Sequence, residues 1–170
     1  MDETKPGSWY RPARRKDRTM DREGAVALLD RATFGILAMA DRAGQPYAIP
    51  LSYGRDGDRI CFHCATSGQK LDFLRDNPLA VLCVTEPGAV DPGETPCATT
   101  ITYRSVLVFG RVFELTAGEA KLAALDAICR HHGIAVPTAG TPAAAAYAER
   151  AAQTVVLALD MEHVSGKARG

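Results

Sequence analysis

The 170-residue chain has no surplus of charge, because 20 Lys and Arg offset 20 Asp and Glu. Bulk electrostatics therefore gives it no pull toward nucleic acid or an anionic membrane. No apolar run approaches the roughly 20 residues that span a bilayer, and the N-terminus lacks a signal-peptide core. The five cysteines are odd in number and fall mostly in apolar stretches. They read as buried free thiols in a reducing compartment, with the cytoplasm as the expected location. Gly-rich dinucleotide and P-loop signatures are missing, which argues against a Rossmann oxidoreductase or a P-loop NTPase. Ser52 and Ser105 have no neighbouring His/Asp pattern suited to a hydrolase triad. Internal repeats are absent.

What remains is an ordinary globular composition, 46% hydrophobic and 24% charged, in a chain long enough to build a core without staples. Residues 1–19 form a basic arm with Arg11, Arg14, Arg15, Lys16 and Arg18, and residues 20–170 a single domain. Trp9 in the arm reads equally as an anchor on a partner subunit and as part of a disordered tail. A helix is expected from Asp21, then a strand over 33–40, a turn at Asp41–Gly44 and a hairpin partner over 45–53. Strands follow over 59–64, 79–84, 99–116 and 154–163, with a Pro/Gly-rich loop over 86–98. Helices are expected near 71–76, 118–132 and 142–152. Gly110 inside the longest strand marks a bulge or bend of the kind that closes a barrel. About six strands joined by hairpins, with flanking helices, predict a mainly β (α+β) antiparallel barrel rather than a parallel sheet.

The stretch His63-Cys-Ala-Thr-Ser-Gly-Gln-Lys70 joins a strand to a helix. Thr66 or Ser67 is placed to cap that helix, and Gly68 lets another group approach the backbone. Lys70 is out of place, since a cation in the first turn opposes the macrodipole by roughly 0.3–1 kcal/mol. A phosphate shared by the free N–H groups, the hydroxyls and Lys70 accounts for it. An ordinary helix start with Asp72 paired to a neighbouring cation accounts for it as well. Pro50 inside a strand demands an edge or a bulge, and leaves backbone groups open to solvent or to a flat ligand.

Cys61-x-x-Cys64 is discounted as a zinc or dithiol site, because positions 61 and 64 of a strand point to opposite faces. His131 and His132 close a helix, where a cation suits the dipole. His163 stands near the C-terminal Ser165-Gly-Lys167 and is not assigned a role.

The order of motifs resembles the nitroimidazole-resistance (Nim) branch of the pyridoxamine 5′-phosphate oxidase-like flavoproteins. These motifs are Arg14-Arg-Lys-Asp-Arg18, Pro50-Leu-Ser-Tyr53, His63-x-Ala65-x-x-Gly68-x-Lys70, Asn77-Pro78, Tyr103-Arg-Ser-Val106 with Gly110, and Ser165-Gly-Lys167. The resemblance implies a split β-barrel homodimer holding FMN between subunits and working as a reductase or oxidase. It places the flavin phosphate on Gly68, Gln69 and Lys70, beside Cys64, Ala65 and Ser67. The ring would run along Ile49, Pro50, Leu51 and Ser52, with His63 flanking it and Tyr103, Arg104 and Ser105 supplied by the partner. NADH or NADPH would reduce the flavin, and a nitroaromatic or quinone would reoxidise it. Gln69 departs from the pattern, in which a second cation commonly precedes the lysine, and so implies looser FMN binding. The same barrel in related proteins carries haem or a deazaflavin. A non-catalytic flavin- or haem-binding or sensing protein is the alternative reading.

Overall fold

A computed structural model describes residues 10–116 and 118–170; the part of the arm that carries Trp9 lies outside these. The described chain runs through a 3-10 turn at Lys16–Arg18, then β1 (Thr19–Met20), α1 (Arg22–Arg31), β2 (Gly35–Ala40), β3 (Pro46–Leu51), β4 (Gly54–Asp56) and β5 (Arg59–Cys64). It continues with α2 (Gln69–Asp76), β6 (Leu79–Asp91), β7 (Thr100–Glu114), α3 (Gly118–His131), α4 (Pro142–Gln153), β8 (Val155–Asp160) and β9 (His163–Arg169). Every strand pairing is antiparallel, and the main order is β3-β2-β6-β7-β8-β5-β4, with β9 paired to β7 and β1. The predicted antiparallel split barrel with flanking helices is therefore the fold.

The long β7 joins the two halves of the barrel. Its residues 103–109 pair with β9, and 112–114 pair with β8. Gly110 lies between these pairings, where a Cβ would sit 1.7 Å from the backbone oxygen of Asp160. Only glycine admits that approach, which is where one sheet bends into the other.

Among the described residues nine strands stand where about six are expected, because three are short or lie in the tail. β1 and β4 have two and three residues, too few for a period-two pattern to show. The 154–163 strand breaks at Met161 and Glu162, and the tail resumes as β9. The loop expected over 86–98 is also shorter than predicted. β6 runs on through Pro87 and Gly88 to Asp91, and a register shift between Pro87 and Val90 absorbs the irregular residues.

Two cores follow from the strand alternation. Inside the barrel, Ile60 and Phe62 of β5 meet Leu37, Leu82, Val106, Val108, Leu157 and Leu159, closed by Leu28 and Leu29 of α1 and Leu71, Phe73 and Leu74 of α2. On the other face, Cys61, Val156 and Ala158 pack under Ala124, Leu125 and Ile128 of α3 and Ala151 of α4. α1 starts as expected at Asp21, whose side chain accepts a hydrogen bond from the Gly24 amide at 2.8 Å.

Candidate functional site

The turn between β5 and α2 is held from both sides. Upstream, β5 is laddered between β4 and β8. Downstream, Asn77 ends α2, donating from Nδ2 to the Ala40 carbonyl at 2.8 Å and accepting from the Leu79 amide at 3.2 Å. The Arg42 amide donates to Asp76 at 2.7 Å. Leu71, Phe73 and Leu74 are buried, so α2 cannot slide along the sheet. The helix start is thus fixed in space by packing that has nothing to do with a ligand.

Neither Thr66 nor Ser67 caps α2. The N-cap is Gly68, with no side-chain hydrogen bond to the helix, at φ 135° and ψ 162°. That conformation belongs essentially to glycine, and no heavy atom lies within 4 Å of where a Cβ would stand. The opening N–H groups of the helix therefore have no side-chain acceptor, and the space above Gly68 is clear.

Lys70 is half-buried, with its Nζ 5.6 Å from the centre of the Phe62 ring. It takes part in no ion pair among the described residues, and Asp72, the expected neighbourly partner, is paired with Arg75 at 3.4 Å instead. Cys64 lies against the barrel core beside the same cation. Burial raises its thiol pKa, Lys70 pulls it back down in part, and Glu114 raises it slightly. A cavity of about 200 Å³ is lined by Tyr47, Ile49, Cys64, Ala65, Ser67, Gly68, Gln69, Lys70 and Leu71.

These observations test the fit of a phosphorylated cofactor. An uncapped helix start, a backbone bare of Cβ and an ammonium without an acidic partner among the described residues converge on one small cavity, which is a donor set that suits an anion. The volume is below the roughly 300–1,000 Å³ of a whole small-molecule pocket. It has room for a phosphate group and not for a whole flavin.

The other sequence-predicted residues divide. Ile49 reaches the cavity; Pro50 and Ser52 are exposed and Leu51 half-buried along β3, which is an edge strand, as Pro50 requires. His63 is exposed on β5, opposite Val156, on the face that Cys61 shares with α3, and so points away from the cavity lined by Cys64. Tyr103 and Arg104 line a different cavity, of about 610 Å³, with Glu86 and Arg169, and Ser105 pairs with Lys167. One chain thus assembles residues 64–70 with Ile49, and separates them from His63 and from 103–105. Tyr47 was missed; its position two residues before Ile49 on the same strand face is the signal that could have found it.

Cys61 and Cys64 lie in the two different cores, as alternation predicts. Burial pushes the Cys61 thiol up to about 11. Cys97 is exposed, against the expectation of buried thiols, because it sits in the loop beyond β6 rather than in a strand. His131 ends α3 and donates from Nε2 to the Ala32 carbonyl at 2.6 Å, tying the ends of two helices together. His163 stacks on Tyr10 with ring centres 3.8 Å apart, and burial lowers its pKa. No helix among the described residues is long and apolar enough to cross a membrane.

Residues 21–168 match the sequence model of the pyridoxamine 5′-phosphate oxidase family. The chain belongs to that family. A curated relative, an uncharacterized protein of Rhizobium meliloti (strain 1021), is 34% identical over 101 residues, 59% of this chain and 58% of that protein. The match thus spans under two thirds of the relative's length. Among solved structures, an FAD- and haem-binding protein from Mycobacterium smegmatis has a TM-score of 0.73 at 26% identity, covering 90% of this chain and 74% of that one. An FAD-binding protein from Mesorhizobium loti has a TM-score of 0.63 at 25% identity, covering 90% and 98%. A candidate 5-nitroimidazole antibiotic resistance protein from Bacteroides thetaiotaomicron shares the fold, with a TM-score of 0.71 at 20% identity over 88% and 86%.

Proposed function

We propose that the chain is an FMN-dependent oxidoreductase of the Nim-like type, working as a homodimer with its flavin between subunits. The observation that carries this reading is Lys70: a half-buried cation without an acidic partner, at an uncapped helix start over a glycine. Ser67, Gly68, Gln69 and Lys70 hold the phosphate. The free edge of β3 at residues 49–52 offers backbone groups to the ring, beside Ile49. Bound flavin supplies the electron-carrying chemistry, while this chain binds and orients it.

Support for the dimer comes from the outer face of β3, β2, β6 and β7. Register sets Pro50, Ile36, Cys83 and Leu107 in one row and Ala48, Ala38, Val81 and Phe109 in the next. An antiparallel sheet that faces water carries polar side chains there. An apolar outer face instead fits a contact surface. Such a contact would also bring Tyr103, Arg104 and Ser105 of a second copy toward the site that one chain leaves open.

His63 is the proposed proton donor at the ring. Its side chain leaves β5 on the far face, so the role requires the ring to extend past the strand end. His63→Ala is expected to lower turnover while leaving FMN affinity within a few fold, and unchanged turnover removes His63 from the reaction. The test of the whole reading is anaerobic addition of NADH or NADPH to FMN-loaded protein. Bleaching of the flavin band, with colour restored by a nitroaromatic or quinone, is the expected result. Flavin that binds but never bleaches identifies a binding or sensing protein. A Soret band from purified protein identifies haem.

A further inference from the structure

The hairpin formed by the outer parts of β6 and β7 leaves the body of the barrel. Residues 85–99 are all exposed. A two-stranded ribbon is marginal on its own in water. This one is tied to its own chain at the base, where Arg31 donates to Glu86 at 3.0 and 2.6 Å, and again farther out, where Arg169 lies 3.6 Å from Asp91. Between these ties it carries an apolar pair: Val90 and Ile101 stand opposite each other in register, 63% and 52% exposed.

A second apolar feature has no cover either. Phe34 and Ile36, 60% and 45% exposed, open onto a cleft of about 400 Å³ whose floor includes Leu28, Ala32 and Cys83. These four residues are four of the five large hydrophobics exposed among the described residues. This hairpin, the β6–β7 arm, cannot fill the cleft of its own chain. Thr85, Glu86 and Pro87 form one wall of it, and from Pro87 the strand carries Val90 about 10 Å onward at roughly 3.3 Å per residue.

Ridge and cleft face the same way. Ile101 continues the face of Tyr103, Ser105 and Leu107 by strand alternation, and Ile36 is in register with Cys83, which pairs with Leu107. Two such features on one face, complementary and each unsatisfied within its own chain, meet the condition for a two-fold contact in which each copy gives and receives.

We infer that the β6–β7 arm of each copy reaches across to a second copy and seats Val90 and Ile101 in its Phe34–Ile36 cleft. The inference rests on the dimer reading above and assigns the arm as its clamp. Sedimentation of the full-length protein tests it, comparing wild type with Val90→Asp, Ile101→Asp and Phe34→Asp, each an exposed position where thermal melting checks that the fold persists. At least tenfold weaker dimerisation in all three is expected. Phe34→Cys combined with Ile101→Cys, in a Cys83→Ser, Cys97→Ser background, should yield a disulfide-linked dimer on oxidation. A wild-type dimer left intact by Val90→Asp and Ile101→Asp, with no cross-link, overturns the arm inference and leaves the dimer standing. A wild type that stays monomeric when loaded with FMN overturns both.

Discussion

Replacing Lys70 with Gln removes one charge from the site and little else. The side chain takes part in no ion pair, so the change orphans no carboxylate among the described residues. It also removes a cation from the wrong end of α2, a relief of about 0.3–1 kcal/mol that offsets the lost contact with the Phe62 ring. The cofactor-free variant should therefore melt within a few degrees of wild type. Bound phosphate tells a different story, because hydrogen bonds to a charged group contribute about 1.5–3 kcal/mol. At about 1.4 kcal/mol per decade, FMN affinity should fall roughly 10- to 150-fold. Riboflavin has the ring and lacks the phosphate, so its affinity should barely move. The assay is quenching of flavin fluorescence, titrated with FMN and with riboflavin on both proteins. An equal loss for both ligands, or no loss for FMN, refutes the reasoning.

Gln69→Arg adds charge beside the proposed phosphate seat and should tighten FMN by about 1 kcal/mol or more, in the same titration; no gain removes Gln69 as a determinant of FMN affinity. Gly68→Ala meets no neighbour, so its cost is backbone alone, about 1–3 kcal/mol in urea unfolding, together with weaker FMN binding. Tyr53→Phe deletes the hydroxyl that donates to the buried Leu29 carbonyl at 2.7 Å and should cost about 1–3 kcal/mol. Burial raises the Tyr53 phenol well above its ordinary value, with Asp30 adding to the shift. The neutral form is thus favoured by folding, and that stability is complete below the unfolded value near ~10 and lost as pH climbs beyond it. Alkaline denaturation followed by circular dichroism should be correspondingly less steep in Tyr53→Phe.

The elements legible in the sequence were those whose periodicity is dictated by burial on one side. α2 announces itself through Leu71, Phe73 and Leu74, while β5, buried on both faces at Ile60, Cys61 and Phe62, announces itself as a short apolar run between turn residues. Gly110 was legible for a related reason, since a glycine inside a long strand needs a close approach to explain it. What periodicity does not encode was lost. β4 and β1 are too short to alternate, and β6 continues through Pro87 and Gly88 because pairing with β7 overrides their local preference. The N-cap was misread because Ser and Thr usually supply the oxygen, whereas Gly68 leaves the helix end bare. The site was legible as a turn, residues 64–70, and not as a pocket. Which strand faces it depends on how β3 and β5 fold around the barrel, whereas the opposite facing of His63 and Cys64 follows from alternation along β5 alone.

The seat at the start of α2 is tested most directly by a crystal structure of the protein grown with FMN. The account predicts the phosphate within hydrogen-bond reach of Lys70 Nζ and the Gly68–Lys70 backbone, with the ring against the edge of β3 and a second copy closing over it. A flavin bound elsewhere, with Lys70 turned to bulk water and the cavity filled by protein side chains, would contradict it.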